Sequence, residues 1–331
     1  MQKRSYNSLT MAWPTDWSAL FGAERPLIVE IGFGNGEHLL ALAKAHPNCN
    51  VIGFEISVQS IEKAEKKIRR SGLKNVIAIH SRGETAIFHL FRPQSIREIH
   101  INYPDPWFKA RHAGRRIMQR DMLDAMVSRL EIGGLFYLAT DIVEYAEMSD
   151  DLLRDTSGLS NELAQSWVNE LDERLIVTKY EEKGLREGRV GNYFKYRRNT
   201  HTSPEIPTME EWPVPHVILK TPMTPQTIAS QVEREAFHKN DRIHVAVFNG
   251  FWNIAHNSVL FEINIEEATI EQHVALSLRY RPENDDYILH YATFGMPRPT
   301  EGLHFATSAL AEWIVSLHPD AEIVADRTRS I

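Results

Sequence analysis

Leu27-Ile28-Val29-Glu30-Ile31-Gly32-Phe33-Gly34-Asn35-Gly36 decides the fold of this 331-residue chain. Leu27 to Ile31, apolar except for Glu30, reads as a buried parallel strand. The glycine turn follows at once. Glu37 to Ala45 then has helical spacing, with Leu39, Leu40, Leu42 and Ala43 on the buried side. Strand, glycine turn and helix in this order open a doubly wound sheet that binds a nucleotide. Glycine is required because the backbone reverses tightly and approaches a ligand without Cβ atoms in the way. The next strand, Val51-Ile52-Gly53-Phe54-Glu55, ends in an acid 19 residues beyond Gly36. A carboxylate that bonds ribose hydroxyls is expected roughly 20 residues on.

This pattern serves dinucleotides and S-adenosylmethionine alike. Two details favour S-adenosylmethionine. The spacing is G-x-G-x-G, without the third glycine of G-x-G-x-x-G, and Glu30 sits inside the strand two residues before Gly32. The candidate cofactor residues are therefore Glu30, Gly32, Gly34, Gly36 and Glu55.

The alternation continues. Helices are predicted at 57–70, 84–91, 116–130 and 142–154, and strands at 76–79, 98–103 and 135–139. Met118, Met122 and Met126 fall at core spacing in the third helix. Asp141 follows the last of these strands and is either a second acid at a strand's carboxyl end or the N-cap of the next helix. A helix at 161–171 precedes two late strands, 174–178 and 191–196, read as an antiparallel edge pair.

The strand at 98–103 runs into Tyr103-Pro104-Asp105-Pro106-Trp107-Phe108-Lys109-Ala110-Arg111-His112, followed by Arg115, Arg116 and Arg120. The prolines end the strand, because proline lacks the ladder N–H and restricts the residue before it. Asp105 is thereby held at a strand's carboxyl end, where open α/β sheets bind ligands. The cations beside it attract a polyanion; the alternative is a solvated basic loop. A second basic cluster lies at 179–198.

Residues 200–331 hold nine Lys/Arg against 18 Asp/Glu, while residues 1–199 hold 28 against 26. The net charge of −7 thus hides an acidic C-terminal part behind a near-neutral one with basic clusters. No run approaches the roughly 20 apolar residues that span a membrane. The single cysteine, Cys49, allows no internal disulfide and fits a cytoplasmic setting.

The motifs Glu30-Ile31-Gly32-Phe33-Gly34-Asn35-Gly36, Gly53-Phe54-Glu55, the Pro104–His112 block with Arg115-Arg116, Ala139-Thr140-Asp141 and Thr178-Lys179-Tyr180-Glu181 occur in this order. Over residues 25–198 the chain resembles the bacterial tRNA (guanine-N7-)-methyltransferase family. The resemblance implies a Rossmann-like class I methyltransferase sheet and transfer of a methyl group from S-adenosylmethionine to N7 of a guanine in the tRNA variable loop. Carried over by position, Glu30 and Glu55 bind the cofactor, and Asp105 sits at the catalytic centre and also contacts the cofactor. Lys109, Asp141, Thr178 and Glu181 contact the tRNA or its guanine. The family's adenine-contacting acid after the third strand is replaced by Arg82, with Glu84 two residues on; either Glu84 or a backbone group takes that contact, or the contact is weaker, and Glu84 is the candidate carried forward. Ala113-Gly114 replaces a segment that commonly carries a lysine, and the family's chains normally stop near residue 198. The alternatives are a methyltransferase for another substrate and a tRNA-binding module that has lost catalysis.

Three parts are expected: a methyltransferase domain at 1–199, a linker at 200–224 and a smaller α+β domain at 225–331. The linker reading rests on the prolines, six of the chain's 16 lying between Thr200 and Pro225. The last part is read as a helix at 225–237, strands at 242–248, 258–265, 272–280 and 286–294, and a helix at 302–317. Its acidity points to a protein partner or a homodimer more than to phosphate. Phe248, Phe251 and Trp252 are an alternative stacking platform for a base. None of its histidines shows metal spacing.

Overall fold

In the computed structural model, residues 6–107, 114, 116–206 and 212–329 are described, with the side chains of Lys179 and Tyr180 excepted. Lys109 lies outside them. The chain divides into two compact units, Met1–Met209 and Glu210–Ile331.

The first unit is an eight-stranded sheet. Its strands are β1 (Tyr6–Asn7), β2 (Leu27–Ile31), β3 (Asn50–Glu55), β4 (Val76–His80), β5 (Ile96–Asn102), β6 (Leu130–Thr140), β7 (Leu159–Asn161) and β8 (Asn192–Arg198). They lie in the order β1-β4-β3-β2-β5-β6-β8-β7. All pairs from β1 to β6 are parallel; β8 runs antiparallel to β6 and β7 antiparallel to β8. From β2 the chain winds one way through β3 and β4, then returns to β5 on the other side of β2. The topological switch point therefore lies between β2 and β5, where such sheets bind ligands.

Side chains of β2 explain the layering. Ile28 packs with Leu39, Leu42, Ile61 and Ala64 of the helices Glu37–Ala45 and Val58–Ser71. Val29 and Ile31 face Met122, Leu123 and Met126 of Arg120–Arg129, with Tyr145 and Ala146 of Val143–Arg154 in the same cluster. The methionines are core packing, as their spacing predicts.

Two predicted elements of this unit differ. Residues 161–171 are not helical: the Asn161 side chain accepts from Leu163 N–H and donates to Gln165 O, forming a local turn. Val168 then bridges to Tyr193. Residues 174–178 belong to no helix and no named strand, and β7 takes the edge beside β8. Thr178 instead caps a helix, Lys179–Arg186.

The second unit is a seven-stranded antiparallel sheet of β9 (His216–Lys220), β10 (Glu235–Lys239), β11 (Ile243–Asn253), β12 (Ser258–Glu266), β13 (Glu271–Arg281), β14 (Asp286–Tyr291) and β15 (Glu322–Asp326). Its order is β10-β11-β12-β13-β14-β9-β15. Glu301–Ser316 seals one face, its Leu303, Leu310 and Ile314 in one cluster with Val217, Phe261, Val274, Leu276 and Leu289. The stretch read as linker contains β9, a strand with Val217 and Leu219 fully buried. The helix expected over 225–237 stops at Ser230, and Glu235–Lys239 pairs with β11 instead. Tertiary pairing overrides local propensity there. Phe251 and Trp252, adjacent in β11, point to opposite faces and form no joint platform. Among the described residues no helix is long and apolar enough to cross a membrane.

Candidate active site

Parallel register sets Glu30 beside His100 and Ile31 beside Ile101. The glycine turn after β2 and the Pro104-Asp105-Pro106 segment after β5 therefore leave the sheet as neighbours. Gly32, Gly34 and Gly36 have φ of 74°, 54° and 77°, the left-handed region that glycine occupies without strain. At Gly36 packing adds a second demand, since a Cβ would lie 2.7 Å from Ala64 Cβ. Over Gly32 the space is open within 4 Å of where a Cβ would stand.

Glu55 at the end of β3 braces this turn. Its Oε2 accepts from Gly34 N–H at 2.9 Å, and its Oε1 accepts from Ile56 and Ser57 N–H at 2.9 and 3.0 Å. A carboxylate offers about four lone-pair sites, so acceptor capacity remains for a ribose.

Glu30 is 1% exposed. Its Oε1 lies 3.1 Å from His38 Nδ1 and accepts from Asn102 Nδ2 at 3.2 Å. Its Oε2 is buried without a partner. Such an orphan is costly unless a ligand satisfies it. An unpaired acceptor beside an open glycine turn fits the cationic amino-acid end of S-adenosylmethionine.

Asn102 carries the network onward. Its Oδ1 accepts from Arg174 Nη1 at 2.6 Å, and Arg174 Nη2 donates to Glu181 Oε2 at 2.8 Å. Glu181 and Thr178 form a reciprocal capping box that starts Lys179–Arg186. Tyr193 Oη donates to Glu181 Oε1 at 2.5 Å and lies 3.3 Å from Tyr103 Oη. The Arg174 guanidinium stands 5.8 and 5.3 Å from the Tyr103 and Tyr193 ring centres. Burial pushes the Glu181 carboxyl up, but hydrogen bonds from Arg174 and Tyr193 outweigh it and hold the group below its usual value. Burial raises both tyrosine hydroxyls.

Behind this network a cavity of about 390 Å³ is lined by His38, His100, Asn102, Tyr137, Arg174 and Tyr193 among others. Burial holds His100 below its ordinary value, so the neutral ring donates from Nε2 to Glu98 at 3.1 Å.

Asp105 is exposed, three residues beyond β5. Its loop is bound by Arg116, which donates to the carbonyls of Pro106 and Trp107 at 2.9 and 3.2 Å. Tyr103 and Trp107 on either side have φ of 51° and 42°. Bulky residues in that region mark strain, which collects at functional sites.

Asp141 is not an N-cap: Ile142 holds that position, and Thr140 Oγ1 accepts its N–H. The Asp141 carboxylate pairs with Arg189 at 2.8 Å. Glu84 stands in the first helical turn after β4, 3.5 Å from Arg82 Nε. The structure thus groups Glu30 with Glu181 and Thr178 through Asn102 and Arg174, joins Glu55 to the glycine turn, and engages Asp141 and Glu84 with arginines. Asn102, Arg174 and Tyr193 escaped the sequence reading, which quoted Tyr103 but gave it no role; Asn102 ends β5 and Tyr103 follows it.

Residues 24–192 match the family model described as "Putative methyltransferase". The chain is also 36% identical over 186 residues to a tRNA (guanine-N(7)-)-methyltransferase of Cereibacter sphaeroides, covering 56% of this chain and 74% of that one. The chain belongs to the tRNA (guanine-N7-)-methyltransferase family.

A family member from Thermotoga maritima is 38% identical over 177 residues, 54% of this chain and 55% of its own. The chain thus spans about half the length of that relative. A third, from Thermus thermophilus, is 29% identical over 323 residues, 96% of this chain and 97% of its own, so the second unit has a counterpart there. Among solved structures the 16S rRNA methyltransferase KamB is similar, at 15% identity and a TM-score of 0.44, over 57% of this chain and 93% of that one.

Proposed function

We propose that the chain transfers the methyl group of S-adenosylmethionine to N7 of a guanine in the tRNA variable loop. The observation that carries this reading is the pairing of β2 with β5. It sets the glycine turn, with the orphaned Glu30 oxygen behind it, next to the Pro104-Asp105-Pro106 segment that the strained Tyr103 and Trp107 bracket. When bound, the cofactor supplies an electrophilic methyl on a sulfonium.

Guanine N7 carries an in-plane lone pair and needs no general base. The chain's task is alignment. Glu30 and the amides of the glycine turn hold the cofactor's amino-acid end, Glu55 holds its ribose, and Glu84 meets its adenine. Positive charge reaches the purine as the bond forms, and Asp105 stabilises it. Lys109 and the basic residues around it bind tRNA phosphates, with Asp141, Thr178 and Glu181 on the substrate side. The substrate implies a cytoplasmic setting, which the lone Cys49 supports.

For the second unit we propose contact with protein, a second copy of the chain first. The support is edge strand β15, which exposes Ile323 and Val324, and the acidity of residues 200–331. Sedimentation mass tests it; a monomer at all concentrations removes the second copy.

The reaction is tested with methyl-labelled S-adenosylmethionine and a tRNA transcript made with guanosine or with 7-deazaguanosine. Label enters the first and not the second. Equal labelling of both overturns the N7 assignment.

A further inference from the structure

We infer that the Arg174 guanidinium occupies the seat of the target guanine's N1–H/N2–H₂ edge, and that Asn102 Oδ1 and the Glu181 carboxylate are the acceptors of that seat. This rests on the transfer proposed above.

A guanidinium and the N1–C2–N2 part of guanine present the same flat row of N–H donors. In this structure the row is read by two acceptors, at 2.6 Å from Asn102 Oδ1 and 2.8 Å from Glu181 Oε2. Two aromatic rings, Tyr103 and Tyr193, stand with their centres 5.8 and 5.3 Å from it, and a base in this seat would meet the same rings. Adenine has an acceptor at N1 and no donor at C2, so it would leave the buried Glu181 and the half-buried Asn102 acceptors facing nothing.

The acceptors are preset by the rest of the site. Asn102 Nδ2 donates to Glu30 Oε1, which aims Oδ1 the other way. Glu181 is fixed by the Thr178 N–H and by Tyr193 Oη. N7 lies across the bicycle from N1 and N2, so seating this edge leaves N7 outside the seat.

Arg174 fits the role of a displaceable occupant better than that of a brace. Its Nε is buried with no partner. Its segment has no ladder partner, and Leu175 and Val177 beside it are exposed apolar residues. At the surface the segment is tied by Glu173 to Lys195. Withdrawal of Arg174 need not break that tie.

An occupied seat lowers apparent affinity by the fraction of molecules in which it is free. Removing the occupant should therefore tighten tRNA binding. The test compares wild-type chain with Arg174→Ala, using S-adenosylhomocysteine affinity as the control for folding. Arg174→Ala is expected to lower KM for tRNA by about fivefold to tenfold. Millimolar guanidinium ion should then compete with tRNA in the variant and leave wild type unmoved. A raised KM that guanidinium restores would make Arg174 a brace and overturn the inference.

Asn102→Leu gives an independent reading, with cofactor saturating. Inosine keeps N1–H and N7 but lacks the 2-amino group. Wild type is expected to prefer guanosine over inosine at the target by about tenfold, and the variant to lose that preference. An unchanged preference overturns the inference. If wild type forms no 7-methylguanosine at all, the transfer reading fails by itself. Guanosine and inosine monophosphate binding to the two variants then still tests the seat.

Discussion

Both units are sheets sealed by helices and both bury polar groups, such as Asn75 and Arg129 in the first, that satisfy their own backbone, yet the first also buries a set that serves another end. In the second unit such groups finish secondary structure. Glu267 accepts from Thr300 and from Gly302 N–H at the start of Glu301–Ser316, Gln272 donates to Thr300 Oγ1, and His304 donates to Pro213 O. In the first unit Glu30 and Asn102, near the carboxyl ends of β2 and β5, meet Arg174 and Glu181, and the four terminate little. Glu181 alone doubles as a capping residue. Buried polarity that no element needs marks where a ligand goes; buried polarity at a helix end is part of the fold.

That contrast can be broken by substitution. Phe261 is fully buried in the second unit and Phe261→Ala should cost about 3–5 kcal/mol there. Calorimetry should show the loss in one transition, with initial rates of methyl transfer unmoved below it. Equal loss of activity would mean the units are not separable in function. In the first unit Asp105→Asn should remove on the order of 2–4 kcal/mol of transition-state stabilisation, seen as slower turnover with cofactor affinity kept. Wild-type turnover would remove Asp105 from the mechanism.

Acid separates the regions further. The folded Glu181 has a lowered pKa, so its contribution to stability is complete above the usual glutamate value, roughly 4.3. It is lost as pH falls through the lowered value. Glu181→Gln should flatten that acid limb for the first unit; an unchanged limb would show that Arg174 and Tyr193 do not hold the carboxylate.

Thr178→Ala should cost about 1 kcal/mol through the lost cap and fray Lys179–Arg186, read by hydrogen exchange. The smallest effect is expected of Lys109→Ala, which should reduce the salt slope of tRNA binding by about one. A slope equal to wild type would exclude a phosphate contact.

What was legible in the sequence is what depends on near neighbours. The run Leu27–Ile31, its glycines and Glu55 specify a strand, a turn and a brace within one βαβ stretch. Arg174 was opaque because its partner Asn102 lies 72 residues away, and nothing local shows that an arginine in a segment outside helix and strand turns inward. The helix Lys179–Arg186 was legible and missed: Thr178-Lys179-Tyr180-Glu181 spells a capping box. β10 was not legible, since its partner β11 decides it.

The most direct measurement is chemical mapping of 7-methylguanosine, by reduction and strand cleavage, on a tRNA transcript treated with S-adenosylmethionine and the full chain. One cleavage in the variable loop, strongly reduced with Asp105→Asn, is the predicted result. Cleavage elsewhere, or none while methyl label still enters the RNA at another atom, would contradict it.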